Sequence, residues 1–248
     1  MAGAFQKAEL ELLLKNKGLG SALPAVLPKP ELMFATGIEA LDNLLSGGFP
    51  RGHISEITGP VSSGKTTLLL SLLSRATQQG EIVACIDADT LDPLSASHKK
   101  IDLKKLLWVR CRKPDQILKA ADIVCRAGKF SVIALDLHGF PGLPARRWSA
   151  LWFRLQRAVE GTQTVLLVLA PRSVARNAAR LSVRLQRKDL RWQGQQAFWK
   201  LPRGFRLQAR VVRGPAGANM GAAAIQVRFD PRLLLCPAQN DLQKGQRR

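Results

Sequence analysis

Acidic residues are scarce in this chain of 248: 18 Asp and Glu stand against 38 Lys and Arg, a formal net charge of +20. Such an imbalance makes polyanions the natural partners. The shortage is local. From Pro141 to Arg213 there are sixteen Arg or Lys and two acids, which gives +14 of the +20. Cysteines are also few. Cys85, Cys111, Cys125 and Cys236 form no C-x-x-C pair, which argues against a zinc site or a disulfide framework and for structural thiols in a reducing compartment. Long apolar runs are missing as well. The opening "MAGAFQKAELELLLKNKG" lacks the apolar core of a signal peptide, and the longest later run, "TVLLVLA", is far too short to span a bilayer. A cytoplasmic chain with no membrane partner is expected. No internal repeat or long low-complexity tract is present, and the length suits one large domain with a hydrophobic core.

What is there reads as an ordered series of elements. Residues 5–16 form a short amphipathic helix, followed by the Gly/Pro-rich linker "GLGSALPAVLPKPE". "TGIEALDNLLSGGFPRG" predicts a short helix closed by two glycines and a turn. A strand over 54–58, a Gly-rich loop and a helix over about 65–78 come next. The strands "EIVACIDA", "SVIALDL" and "TVLLVLA" follow, with helical segments around 113–128 and 144–160. Continuous apolar strands alternating with helices imply an α/β fold, a mainly parallel sheet covered on both faces. The period then changes. "LSVRLQR", "FRLQARVVR" and "AAIQVRFD" alternate apolar and polar residues, which predicts a C-terminal antiparallel extension. The expected organisation is an N-terminal helix and linker over 1–30, a core over 31–232 and a tail over 233–248.

The chemistry begins at G-x-x-x-x-G-K-T: Gly59, Pro60, Val61, Ser62, Ser63, Gly64, Lys65 and Thr66. Its glycines let backbone N–H groups turn inward, the helix start adds partial positive charge, Lys65 reaches the outer phosphates of a nucleotide, and Thr66 ligates Mg2+. Asp136 closes a neighbouring apolar strand, where the second carboxylate on the magnesium side belongs. The acids of "IDADTLDP", Asp87, Asp89 and Asp92, are candidates to orient a water. They suit a capped turn before Pro93 equally well.

"TGIEALDNLLSGGFPRGHISEITGPVSSGKTTLLL" followed by "CIDADTLDP" resembles the core of the RecA recombinase family. There, a Ser/Thr-Gly helix, a Gly-Gly-x-Pro turn, the phosphate loop and a strand ending in acids occur in that order. The resemblance continues in "GLPARRWSALWFRLQRAVEGTQTVLLVLAP", and more weakly in "LSVRLQR" and "ARVVRGPAGANMGAAAIQVRF", so it spans about residues 32–230. It implies a RecA-like P-loop ATPase core with ATP and Mg2+ as cofactors. It further implies that Gly59, Pro60, Val61, Ser62, Ser63, Gly64, Lys65, Thr66 and Thr67 hold the triphosphate, and that Thr66 and Asp136 hold the metal. Asp89 falls where the family has its catalytic glutamate, and Asp92 where an Asp contacts the adenine. An Asp is one methylene shorter than Glu, and a displacement near 1 Å costs about a hundredfold in rate.

The departures from the family are specific. After "TVLLVLA" the family carries a γ-phosphate-sensing amide and a long Gly-rich DNA loop, whereas this chain reads Ala170, Pro171, Arg172 and the short "PRSVARNAAR". The first DNA loop shrinks to "HGFPGLP". The chain in this respect resembles the shortened RecA-like proteins of bacterial mutagenesis cassettes, the ImuA group. That likeness implies work beside a Y-family polymerase-like protein and an error-prone polymerase in SOS-linked translesion synthesis.

Trp148, Leu151, Trp152, Leu155 and Val159 fall on one helical stripe, with Arg146, Arg154 and Arg157 opposite, so the tryptophans are expected in the core. Arg172, Arg176, Arg180 and Arg184 recur every four residues, which would make one basic face if the stretch were helical, either solvated or set against phosphates. In "RWQGQQAFWKLPRGFR" the aromatics Trp192, Phe198, Trp199 and Phe205 could stack on bases or be buried in a hairpin. Two function classes follow. One is a nucleotide-driven DNA-repair factor that assembles on single-stranded DNA or a RecA filament, itself open to self-association. The other is an adaptor with a structural P-loop whose basic half docks a polymerase or recombinase.

Overall fold

The computed structural model describes residues 32–88, 91–140, 148–193, 201–215 and 220–228. The expected N-terminal helix, its linker and the C-terminal tail lie outside the described residues. So do Asp89, Arg146, Phe198, Trp199 and Cys236.

The described elements run β1 (Met33–Phe34), α1 (Glu39–Leu44), β2 (Phe49–Pro50), β3 (His53–Thr58), α2 (Lys65–Gln78), β4 (Val83–Asp87), α3 (Pro93–His98) and β5 (Leu106–Arg110). There follow α4 (Pro114–Ala127), β6 (Val132–Asp136), α5 (Ser149–Val159), β7 (Val165–Ala170), β8 (Ala179–Gln193), β9 (Leu201–Arg213) and β10 (Ala222–Arg228). Eight strands form one sheet in the order β10-β9-β8-β3-β7-β6-β4-β5. From β8 to β5 every pairing is parallel, and β8, β9 and β10 pair antiparallel. The α/β architecture with a C-terminal antiparallel extension is as the sequence implied.

The parallel strands are continuous apolar runs because both of their faces are covered. Val83, Cys85, Val132, Ala134, Val165, Leu167 and Leu169 point into a core shared with α1 and α2. Their alternate neighbours Ala84, Ile86, Ile133, Leu135, Leu166 and Val168 pack against α4 and α5. The stripe on α5 behaves as its period demands. Trp148, Trp152, Leu155 and Val159 are buried, and Arg154 and Arg157 are exposed. Cys85, Cys111 and Cys125 are buried free thiols. Burial, reinforced by nearby carboxylates, pushes all three thiols up, Cys125 to about 12.

One expectation needs correction. β7 stands between β3 and β6, so the strand that ends in Asp136 is not the direct neighbour of the strand that feeds the loop. The arginine run is not helical, and "LSVRLQR" is part of a strand, as its alternation predicts. Residues 176–178 make a single 3-10 turn, Arg176 takes a left-handed φ of 44°, and the chain then enters β8 alongside β3. The four-residue spacing therefore divides. Arg172 and Arg176 sit on a connecting segment, while Arg180 and Arg184 share one strand face through the two-residue period. Among the described residues, no helix is long and apolar enough to cross a membrane.

Candidate functional site

The turn from β3 into α2 is shaped by three left-handed residues: Gly59 at φ 155°, Ser62 at 61° and Gly64 at 89°. Side chains are excluded at both glycines for a second reason. A Cβ on Gly59 would run into the Leu185 carbonyl of β8 and into Ser63, and one on Gly64 would meet Leu207 Cδ1 at 2.6 Å. Sheet and loop therefore fit closely. No side chain caps α2, so its first-turn N–H groups are left for an anion, with the positive end of the helix dipole behind them.

Lys65 is only 3% exposed. Its ammonium donates to the Gly59 carbonyl at 2.5 Å, to the Pro60 carbonyl at 2.6 Å and to Ser63 Oγ at 2.8 Å. All three protons are thus directed into the loop it belongs to. Burial pushes the Lys65 ammonium down to about 8, and the negative charge of Asp136 works in the opposite direction. Lys65 and Asp136 accordingly share one electrostatic neighbourhood, although their strands are not adjacent. Thr66 is exposed in the first turn of α2, and Thr67 is half-buried with its carbonyl accepting from Ser71 Oγ at 2.9 Å. Val61 and Ser62 are exposed at the tip, and Ser63 is buried.

Asp136 is 3% exposed at the end of β6. Its Oδ1 accepts the His138 backbone N–H at 3.0 Å and lies 2.5 Å from His138 Nδ1. Asp87 ends the adjacent strand β4 and is fully buried. It accepts from Leu91 N at 2.7 Å and from the Trp108 indole N–H at 2.8 Å. It ties the end of β4 to Leu91 and to Trp108 of β5. Asp92 is the N-cap of α3, accepting from Leu94 N at 3.3 Å, Ser95 N at 2.8 Å and Ser95 Oγ at 2.6 Å. The hydrogen bonds from Ser95 hold its carboxyl below the usual range. Of the three acids Asp87, Asp89 and Asp92, two therefore have structural partners, and Asp89 lies outside the described residues. Ala88 packs where a Cβ on Gly139 would sit, so the end of β4 lies against the exit from β6.

One residue escaped sequence reasoning. Glu56, in the middle of β3, is fully buried. Its Oε1 accepts from Val174 N at 2.6 Å and Ala175 N at 2.9 Å, and its Oε2 from Ser173 Oγ at 2.6 Å and Ser182 Oγ at 3.1 Å. It fixes the segment leaving β7. The one available signal was a lone acid inside the apolar strand "HISEIT".

Comparison with known proteins agrees with this geometry. The RecA N-terminal domain family matches residues 15–139, half of the chain. Protein RecA of a Nocardioides species is 38% identical over 144 residues, covering 55% of this chain and 41% of the relative. Protein RecA of Thermus aquaticus is 36% identical over 131 residues, covering 51% and 38%. That of Ectopseudomonas oleovorans is 43% identical over 109 residues, covering 42% and 30%. The chain thus spans between 30% and 41% of the length of these relatives. A crystal structure of the RadB recombinase superposes with a TM-score of 0.60 at 16% identity, over 79% of this chain and 96% of that one, which shows a shared fold. By the extent of the family match, the chain belongs to the RecA N-terminal domain family.

Proposed function

We propose that this chain binds ATP with Mg2+ at the β3–α2 loop and acts as an accessory protein in DNA repair or recombination, hydrolysing slowly or only with DNA bound. The observation that carries the reading is Lys65, whose buried ammonium is folded onto the Gly59 and Pro60 carbonyls at the mouth of an uncapped helix. A polyphosphate would replace carbonyl dipoles with full negative charge, a stronger partner for a buried cation. The donor set fits. Gly59–Thr67 would line the triphosphate, Lys65 the outer phosphates, and Thr66 with Asp136 the metal, while Asp89 would orient the attacking water. Bound Mg2+ supplies neutralisation of charge on the phosphoryl oxygens. Asp92 is the proposed adenine contact, in addition to its capping bonds.

Within the family, the short "PRSVARNAAR" segment and the absence of an amide after Ala170 support kinship with the ImuA-type proteins. On that reading the chain works in the cytoplasm beside a Y-family polymerase-like protein and an error-prone polymerase during SOS-linked translesion synthesis. A non-hydrolysing adaptor is favoured by one observation: Glu56 pins the segment after β7 with three hydrogen bonds, which suits a fixed platform better than a loop that reorders with nucleotide state. ATP binding and turnover, with and without single-stranded DNA, decide between these for the wild type, Lys65→Ala and Asp89→Ala. DNA-stimulated turnover lost in both variants supports the ATPase. Binding without turnover in the wild type supports the adaptor, and no ATP binding at all overturns the ATPase.

A further inference from the structure

The antiparallel extension has two unlike faces. Leu181, Val183, Leu185, Leu207, Ala209 and Ile225 are buried against α1 and α2. The opposite face has no apolar cover among the described residues, and its arginines are exposed. Register assigns it Ser182, Arg184 and Gln186 from β8, Arg206, Gln208 and Arg210 from β9, and Ala222, Ala224 and Gln226 from β10. Arg184 stands directly opposite Arg210. Like charges at such a cross-strand position, with Cβ atoms about 5 Å apart, are destabilising. Neither residue has an ion pair among the described residues. The acid on this face, Asp189, pairs with Arg206 at 3.0 Å.

At one end the face opens into a cavity of about 680 Å³ that reaches Gly59 and Pro60 of the β3–α2 loop. Arg172, Arg176, Arg184 and Arg213 line it. Its wall is built, because Glu56 lies behind Ser173 and Ser182 and holds both hydroxyls. Arg213 donates to the Arg176 carbonyl at 2.8 Å and to Asn177 Oδ1 at 3.1 Å. None of the four lining arginines has an ion pair among the described residues.

We propose that a single-stranded nucleic acid lies across the arginine face of β8, β9 and β10, with a backbone phosphate seated in the arginine-lined cavity beside Gly59 and Pro60. The occupant is argued from charge and from what accompanies it. Guanidinium groups pair with phosphate oxygens in two-point contacts, and the glutamines between them offer neutral donors. Apart from Val212, which is exposed at the cavity, the face presents no large apolar side chain of the kind that anchors a protein partner. Three strands span about 10 Å between the outer two, a width suited to one chain of nucleotides. The site uses the sheet, and so needs no long loop after β7. This inference rests on the DNA-repair reading above for its biological sense, but its test does not depend on ATP.

The test is fluorescence anisotropy of a labelled oligothymidylate with the full chain across a salt series. Arg184→Glu/Arg210→Glu is compared with a charge-matched control on exposed helix positions, Lys119→Glu/Arg157→Glu. Circular dichroism verifies folding of both. The face variant is expected to bind at least tenfold more weakly than the control and to flatten the log–log salt dependence by about 1.4, two contacts at about 0.7 each. Equal effects of the two variants, or no binding by the wild type at low salt, overturn the proposal. So does displacement of the oligonucleotide by polyglutamate at matched charge, which assigns the face to an acidic protein. Nucleotide binding by the wild type is measured separately. A chain that binds oligonucleotide through this face but not ATP sinks the proposed function and leaves this site standing, and the converse result does the opposite.

Discussion

The carboxylate of Glu56 accepts the backbone N–H of Val174 at 2.6 Å, tying the buried centre of β3 to the segment that leaves β7. Ala175 N–H shares the same oxygen. Removing the carboxylate strands two buried backbone donors, each costing about 1–3 kcal/mol. Glu56→Ala is therefore expected to lose about 2–5 kcal/mol of stability in urea denaturation. Glu56→Gln keeps an oxygen for both N–H groups, and its amide can donate to reoriented Ser173 and Ser182 hydroxyls. It should lose less than half as much. Equal losses would show that the negative charge matters more than the acceptors.

That contact also marks where sequence reasoning stops. The helix over 65–78 and the apolar strands were legible because long runs such as "VLLVLA" have one physical use, burial on both faces. β5, "LLWVR", was not, since it is an edge strand whose side chains are mostly half-buried and carry no clear period. Sheet order left no trace, because nothing local records that β7 inserts between β3 and β6. Glu56 and Val174 lie 118 positions apart, and no pattern links them. The arginine spacing is ambiguous for a related reason: period four fits a helix face, but it is also twice the strand period, and tertiary pairing with β3 decides the matter.

Nucleotide affinity should depend on pH through Lys65. In the free chain its ammonium titrates near 8, lowered from an ordinary 10.5 chiefly by burial. A bound polyphosphate favours the charged form, so binding above pH 8 requires proton uptake. Affinity for a fluorescent ATP analogue is expected to fall about tenfold per pH unit between roughly pH 8.5 and 9.5. Lys65→Arg should remove this dependence, because guanidinium stays charged. For stability the sign is opposite. Between pH 8 and 10.5 the unfolded chain holds more protons on this group than the folded chain, so its contribution to stability grows as pH rises. A wild-type binding curve flat to pH 9.5 would refute the argument.

Gly64 is constrained twice, by its φ of 89° and by Leu207 Cδ1 lying 2.6 Å from where a Cβ would stand. Gly64→Ala should cost about 1–2 kcal/mol for the left-handed backbone alone, with a steric share added. Leu207→Ala removes the obstruction at its own cavity cost of about 2–5 kcal/mol. In a double-mutant cycle by urea denaturation, the pair should be less destabilised than the sum of the singles, by 0.5 kcal/mol or more. Strict additivity would mean that the loop, and not β9, absorbs the new methyl group.

Asp136 should act on both the metal and Lys65. Asp136→Asn keeps an oxygen for the His138 N–H but removes the charge. On the proposed metal role, the gain in ATP affinity on adding Mg2+ is expected to shrink by about tenfold, the scale of one charge-assisted contact. The same charge opposes the burial effect at Lys65, so its loss should move the onset of pH-dependent weakening below 8. The two readouts separate the roles. A shifted onset with an unchanged Mg2+ effect would leave Asp136 as an electrostatic partner of Lys65 and no ligand, and an unchanged onset would break the coupling between the two residues.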